Sequence, residues 1–189
     1  MKLIIASNNK HKIHEIKNIL GVKFEEILSI KEAGINHETV EDGATFMENA
    51  VKKAREISEI SGCAALADDS GLCCDALDGA PGIYSARFSG GSDLDNNALL
   101  VEKLRDKENK NAHYTCAMAL CYPDGSMITA EGYMYGSITD VARGDHGFGY
   151  DPHFIPNGEV RTVAEMSDEE KNSISHRANA LANLLGKLG

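Results

Sequence analysis

Tryptophan is absent from the 189 residues, proline occurs four times, and no apolar run approaches the roughly 20 residues that a membrane-crossing helix needs. Helical membrane spans are therefore not expected, and Leu3-Ile4-Ile5-Ala6 is too short for the core of a secretory signal. Positive charge is scarce as well. Lys and Arg number 19 against 29 Asp and Glu, a formal net charge of −10. Duplex nucleic acid and anionic membranes both require a net positive face, so neither is expected as a partner, whereas a small anion in a locally basic pocket is compatible with this balance. The five cysteines include no C-x-x-C pair, their number is odd, and Cys73 and Cys74 are adjacent. A disulfide framework or a zinc site is not expected from them. Reduced, buried thiols in a cytoplasmic protein are. His11 and His14 are the closest histidines and have no further ligand types beside them.

What is present is ordinary for a globular protein: 42% hydrophobic and 25% charged residues. No low-complexity tract, linker or repeat divides the chain, so a single domain over residues 1–189 is expected. Leu3 to Ala6 reads as a buried strand, Ser7-Asn8-Asn9 as a polar turn, and Ile13, Ile16, Ile19 and Leu20 as the apolar stripe of a helix. A second helix is predicted from Thr45, which forms an S/T-x-x-E box with Glu48, to about Gly62. Cys63 to Ala67 reads as a buried strand that ends in the polar loop Asp68-Asp69-Ser70-Gly71. Leu94, Ala98, Val101 and Leu104 predict a helix, and residues 112–122 and 126–135 predict two strands around the turn Pro123-Asp124-Gly125. Residues 144–152 are glycine-rich and irregular, and Ala178, Leu181, Leu185 and Leu188 mark a closing helix. The class is α/β with a mixed sheet.

Chemistry concentrates in a few of these segments. The Ser7-Asn8-Asn9 turn precedes a helix N-terminus, whose amides carry about half a positive charge and suit a phosphate. Lys10, His11 and Lys12 crowd the same turn, where cations are unfavourable by roughly 0.3–1 kcal/mol each unless an anion is bound. Turning the second helix by 100° per residue from Phe46 puts Lys53 at about 340°, on the inward stripe with Ala50, Ile57 and Ile60. An ammonium there must snorkel, meet a carboxylate or meet an anion; Lys52 faces solvent. Asp68 and Asp69 give the sharpest signal. Two adjacent carboxylates repel, so without a cation or shared proton one has a raised pKa, as a general base or a metal ligand requires. Magnesium suits such a pair, and Glu41 or Asp42 can add a carboxylate. Gly147 to Pro152 sets Phe148 and Tyr150 among flexible glycines as a platform for a planar ring, while Lys171 and Ser175-His176-Arg177 add cations, with Ser175 placed to cap a helix.

Taken in order, Ser7 to Lys12 with Glu15, Glu41 to Ala50, Ala67 to Leu72, Gly79 to Arg87, Gly147 to Pro152 and Ile174 to Arg177 resemble the motifs of the inosine triphosphate pyrophosphatase family, the Ham1 or RdgB-like proteins. The likeness runs from about Leu3 to Leu185. It implies an elongated, two-lobed α/β structure with a mixed central sheet flanked by helices, an active-site cleft between the lobes, and a homodimer. It implies hydrolysis of deaminated purine nucleoside triphosphates (ITP, dITP and XTP) to monophosphate and pyrophosphate, which cleanses the nucleotide pool. On matching positions, Ser7, Asn8, Asn9, Lys10, His11 and Lys12 hold the triphosphate with Lys53, Glu41 and Asp69 bind Mg2+, and Asp69 is the general base. Ser70, Phe148, Gly149, Tyr150, Asp151, Lys171, His176 and Arg177 contact the nucleotide, and Arg177, a donor-only group, matches the 6-oxo acceptor that adenine lacks. The chain departs from the commonest pattern at Asn8, where many relatives have glycine, and at Asp145-His146 before Gly147. Two other readings fit the residues less well: a phosphatase with an aspartyl nucleophile, for which D-x-D spacing is missing, and a catalytically silent nucleotide-binding module.

Overall fold

A computed structural model describes residues 2–20 and 24–188. Six strands form one sheet in the order β2-β1-β3-β4-β5-β6: β1 Lys2–Ile5, β2 Glu26–Ser29, β3 Ala64–Cys74, β4 Asn111–Cys121, β5 Met127–Ile138 and β6 Phe154–Pro156. β1 pairs in parallel with β2 and β3, and β5 pairs antiparallel with β6, so the sheet is mixed as expected. Among the described residues five α-helices accompany it: α1 Lys10–Leu20, α2 Phe46–Ser61, α3 Asp93–Leu104, α4 Asp168–Ile174 and α5 His176–Gly186.

The chain forms two compact units. Residues 1–69, 116–132 and 177–189 make the first, and residues 70–115 and 133–176 the second. Neither is continuous in sequence, and the chain passes between them inside β3, β4, β5 and α5, which is why no linker composition marks a boundary.

In the first unit, alternation along β1 sends Leu3 and Ile5 to one side and Ile4 and Ala6 to the other, and both sides are buried. Leu3 and Ile5 pack with Ile16 and Leu20 of α1 and with Ala180, Leu181 and Leu184 of α5. Ile4 and Ala6 pack with Ala50, Ala54 and Ile57 of α2. α2 begins and ends where the sequence signals it: Thr45 accepts from the Glu48 amide at 3.1 Å, and Gly62 adopts φ 64°. The reciprocal half of the box is shifted by one residue, the Glu48 carboxylate accepting from Ala44 N–H at 2.7 Å. In the second unit, Leu72, Cys74, Tyr114, Met134, Ile138 and Phe154 pack with Leu100 and Leu104 of α3.

Three features differ from the sequence reading. β3 does not end at Ala67; it runs through Asp68-Asp69-Ser70-Gly71 to Cys74. The two aspartates stay in the strand because each finds partners there, described below. β2 and α4 are additional elements. α4 supplies its own Ser167/Glu170 capping box in a stretch with only a weak apolar stripe, so periodicity could not find it.

Candidate active site

In the first unit, the Ser7-Asn8-Asn9 turn is organised from within. Ser7 Oγ accepts from Asn9 N–H at 3.1 Å, and Asn9 Oδ1 accepts from the amides of His11 and Lys12 at 3.0 and 3.2 Å. Asn9 thus caps α1. Asn8, Lys10 and His11 lie exposed beside it, and Lys12 turns inward.

The Lys12 ammonium reaches Asp68 Oδ2 at 3.1 Å. The same oxygen accepts from Arg177 Nη2 at 3.1 Å and Nε at 3.3 Å. Arg177 Nη1 donates to Glu15. Burial by itself raises the pKa of Asp68, but the charges of Lys12, Arg177 and Lys53 outweigh it and hold the carboxyl far below the usual range. Asp69, one residue on, goes the other way. Burial pushes its pKa up, Lys53, Lys12 and the Asn49 amide oppose the rise, and Glu41 adds to it. Asn49 Nδ2 donates to Asp69 Oδ2 at 2.9 Å, while its Oδ1 accepts from Gly43 N–H at 2.8 Å. A Cβ on Gly43 would lie 2.7 Å from that Oδ1, so this tie requires glycine. Lys53 meets a carboxylate: its ammonium lies 3.0 Å from Glu41 Oε1, whereas the more exposed Lys52 pairs with Asp42 at 2.7 Å.

Ser7, Asn9, Lys12, Glu41, Lys53 and Asp69 therefore share one unit, with Lys12, Lys53 and Glu41 all acting on Asp69. No group of three or more His, Cys, Asp or Glu able to hold a metal occurs among the described residues. The donor set still suits magnesium, which takes one or two carboxylates and completes its shell with phosphate oxygens and water. The mutual repulsion of Glu41 and Asp69 is the kind that a divalent cation relieves.

In the second unit, Asp151 is the hub. Its Oδ1 accepts from Tyr114 OH at 3.1 Å, and its Oδ2 accepts from Lys171 Nζ at 2.9 Å and Phe148 N–H at 3.0 Å. The Lys171 ammonium lies 4.8 Å from the centre of the Phe148 ring. Tyr114 stacks on His176 with 4.6 Å between centroids, and burial and the Asp151 charge raise its pKa well above 10, so the phenol stays a donor. Gly149 is held at both ends by α3: its N–H donates to Asp93 at 3.1 Å and its carbonyl accepts from Asn97 at 2.9 Å. Ser70, at the start of this unit, is half-buried.

One sequence expectation changes here. Tyr150 is no ring platform: it is buried in the core and its hydroxyl donates to the Ser85 carbonyl at 2.7 Å. Arg177 has no exposed surface, and its fork is directed at Asp68 and Glu15. The sequence reading also gave no role to Asn49, Tyr114, Asp93 or Asn97. Asn49 had a signal: it lies one helical turn before Lys53, at about 300° on the wheel that singles out Lys53. Tyr114 had none, because it looks like any inward strand aromatic.

The sequence model of the Ham1 family matches residues 3–187. A dITP/XTP pyrophosphatase of Geobacter sulfurreducens is 48% identical over 193 residues, covering 100% of this chain and 96% of that protein. One of Ralstonia nicotianae is 46% identical over 194 residues, covering 99% and 96%. Among solved structures, the Ham1 protein of Staphylococcus aureus superposes with a TM-score of 0.89 at 37% identity, covering 100% of this chain and 98% of the other. The chain belongs to the Ham1 family.

Proposed function

We propose that the protein hydrolyses deaminated purine nucleoside triphosphates, ITP, dITP and XTP, to the nucleoside monophosphate and pyrophosphate, and so clears them from the nucleotide pool. The observation that carries this reading is the grouping of Lys12, Lys53, Glu41 and a raised-pKa Asp69 in a chain whose full-length relatives are named dITP/XTP pyrophosphatases.

In this reading the first unit handles the triphosphate. Ser7 to Lys12 and Lys53 bind its oxygens, and Glu41 and Asp69 hold Mg2+, which supplies positive charge against the phosphates. Asp69 accepts a proton from the attacking water. The water oxygen bonds to the α-phosphorus, the bond from that phosphorus to the bridging oxygen breaks, and pyrophosphate departs with its charge met by Lys12 and Lys53. Asn49 keeps Asp69 in place. Phe148, Lys171 and His176 are the nucleotide contacts that the family likeness implies, with Asp151 fixing Lys171 and Phe148 and Tyr114 backing His176. Hypoxanthine and xanthine carry a 6-oxo acceptor where adenine carries an amino donor, so donor-only groups such as Lys171 disfavour adenine by roughly 1–3 kcal/mol per stranded polar group.

The free thiols and the substrate class support a cytoplasmic location. A homodimer is supported by the aromatic patch of Tyr133, Tyr135 and His113, whose two tyrosines are exposed; light scattering is expected to give twice the chain mass. The function is tested by offering a panel of nucleoside triphosphates with magnesium and measuring both products. Monophosphate and pyrophosphate in equal amounts, fastest with ITP, dITP or XTP, are expected. Orthophosphate, or binding without turnover, would overturn the reading.

A further inference from the structure

We propose that Asp93 and Asn97 of α3 are positioning residues: they hold the peptides on either side of Gly149 and so set the Phe148 ring for the nucleobase. The proposal deepens the pyrophosphatase reading above and rests on it. The two residues lie four apart, one helical turn, on the same face of α3. Asp93 Oδ2 accepts from Gly149 N–H at 3.1 Å, and Asn97 Nδ2 donates to the Gly149 carbonyl at 2.9 Å. Asp93 is exposed and Asn97 is buried. The start of α3 gives them firm support. Ser92 and Asp95 close a reciprocal capping box there, and the buried Asn96 ties the preceding loop to the helix by accepting from Ser89 N–H at 2.8 Å.

Gly149 has to be held from outside. Its φ is 61°, a value that glycine enters freely, and a Cβ there would meet nothing within 4 Å, so no packing of its own fixes the neighbouring peptides. The peptide that joins Phe148 to Gly149 carries the N–H that Asp93 accepts. The peptide before it carries Phe148 N–H, which Asp151 Oδ2 accepts at 3.0 Å. With a planar peptide pinned on each side, both backbone dihedrals of Phe148 are set, and with them the direction in which its ring leaves the chain. Asn97 pins the third peptide, between Gly149 and Tyr150. Among the described residues its own Oδ1 is buried without a hydrogen-bond partner. Turning the amide over would set two acceptors, Oδ1 and the Gly149 carbonyl, against each other. An unpaired buried acceptor costs stability, so what the Asn97 amide contributes is its hold on Gly149.

The test is ITP kinetics on the wild-type enzyme, Asp93→Ala, Asp93→Asn, Asn97→Leu, Phe148→Ala and the Asp93→Ala/Phe148→Ala double variant, with inhibition by inorganic tripolyphosphate and the melting temperature measured on each. Tripolyphosphate offers the phosphate chain without a base. Asp93→Ala and Asn97→Leu are each expected to raise KM for ITP roughly 3- to 10-fold, with kcat within about threefold and the inhibition constant of tripolyphosphate within about twofold of wild type. Asp93→Asn keeps an acceptor for Gly149 N–H, and its KM is expected within about twofold of wild type. Phe148→Ala is expected to raise KM roughly tenfold or more, and Asp93→Ala to add nothing in that background. Asn97→Leu removes the unpaired acceptor, so its melting temperature is expected within about 3 °C of wild type while its KM rises. Where Asn97→Leu does not fold, as judged by circular dichroism, the exposed Asp93 carries the test. A lower melting temperature with KM unchanged would make the contacts structural only and overturn the proposal, as would an equal weakening of tripolyphosphate or additive losses in the double variant. If the wild-type enzyme releases orthophosphate instead of pyrophosphate, the functional reading fails, and the non-additivity of Asp93 and Phe148 on KM still decides the positioning role.

Discussion

Asp68 and Asp69 are neighbours of the same type with opposite electrostatics, and the difference comes from which side of β3 each faces. Alternation sends Asp68 toward Lys12 and Arg177, which keep it ionised, and Asp69 toward Asn49, with Glu41 opposing its charge. The sequence showed that one carboxylate of the pair must be perturbed; it did not show which, because Arg177 lies 109 residues from Asp68. Replacing Asp69 with Asn is expected to cut kcat by about 10²- to 10⁴-fold while leaving the circular dichroism spectrum unchanged. A kcat within a few-fold of wild type would remove Asp69 from the mechanism. Gly147 carries a second prediction at this scale. It has φ 73°, and a Cβ there would lie 2.2 Å from Asp151 Oδ2, the oxygen that holds Lys171 and the Phe148 amide. Gly147→Ala is therefore expected to raise KM for ITP roughly tenfold or more, because it disturbs groups proposed to bind substrate. An unchanged KM would show that Asp151 does not organise the base contacts.

Among the elements, those with a strong period and their own punctuation were legible: β1, the body of α1, α2 with its Thr45 cap and Gly62 stop, and the strands around Pro123-Asp124-Gly125. β3 was cut short because two aspartates in sequence look like a loop until their partners are known, and the partners come from α1, α2 and α5. Glu32 shows how a short connection is fixed. Its carboxylate accepts from the Lys17 ammonium at 2.8 Å and from Ser29 N–H at 2.7 Å, and Lys17 and Ser29 lower its pKa to about 2. A depressed folded-state pKa means that the stabilisation is complete above the unfolded value of 4.5 and is lost as pH falls from there towards 2. The melting temperature of Glu32→Gln is accordingly expected below that of wild type at pH 7, with a narrower gap at pH 3; a gap that widened in acid would contradict this. Where β5 meets β6, Gly136 faces Pro156, and a Cβ would stand 2.2 Å from the Ile155 carbonyl and 2.8 Å from the Phe154 ring. Gly136→Ala is expected to destabilise the protein by about 1–3 kcal/mol, seen as a melting temperature roughly 2–10 °C lower.

At the scale of the whole molecule, a net charge of −10 coexists with an inward cluster of cations. The first unit reconciles the two by pairing Lys12, Lys53 and Arg177 with Asp68, Glu41 and Glu15, so the cations stay stable inside an acidic protein before any phosphate arrives. The motif blocks that carry the family likeness were readable in order along the chain. Their sorting was not: the Ser7, Glu41 and Asp69 segments belong to one unit and the Phe148 and Lys171 segments to the other. That sorting depends on strands that pass from one unit to the next in mid-run. The central claim is attack of water at the α-phosphorus of a deaminated purine triphosphate. It is tested most directly by letting the enzyme turn over ITP in water enriched in oxygen-18 and locating the label by mass spectrometry. The account predicts one labelled oxygen in the inosine monophosphate and none in the pyrophosphate; label in pyrophosphate, or in released orthophosphate, would contradict it.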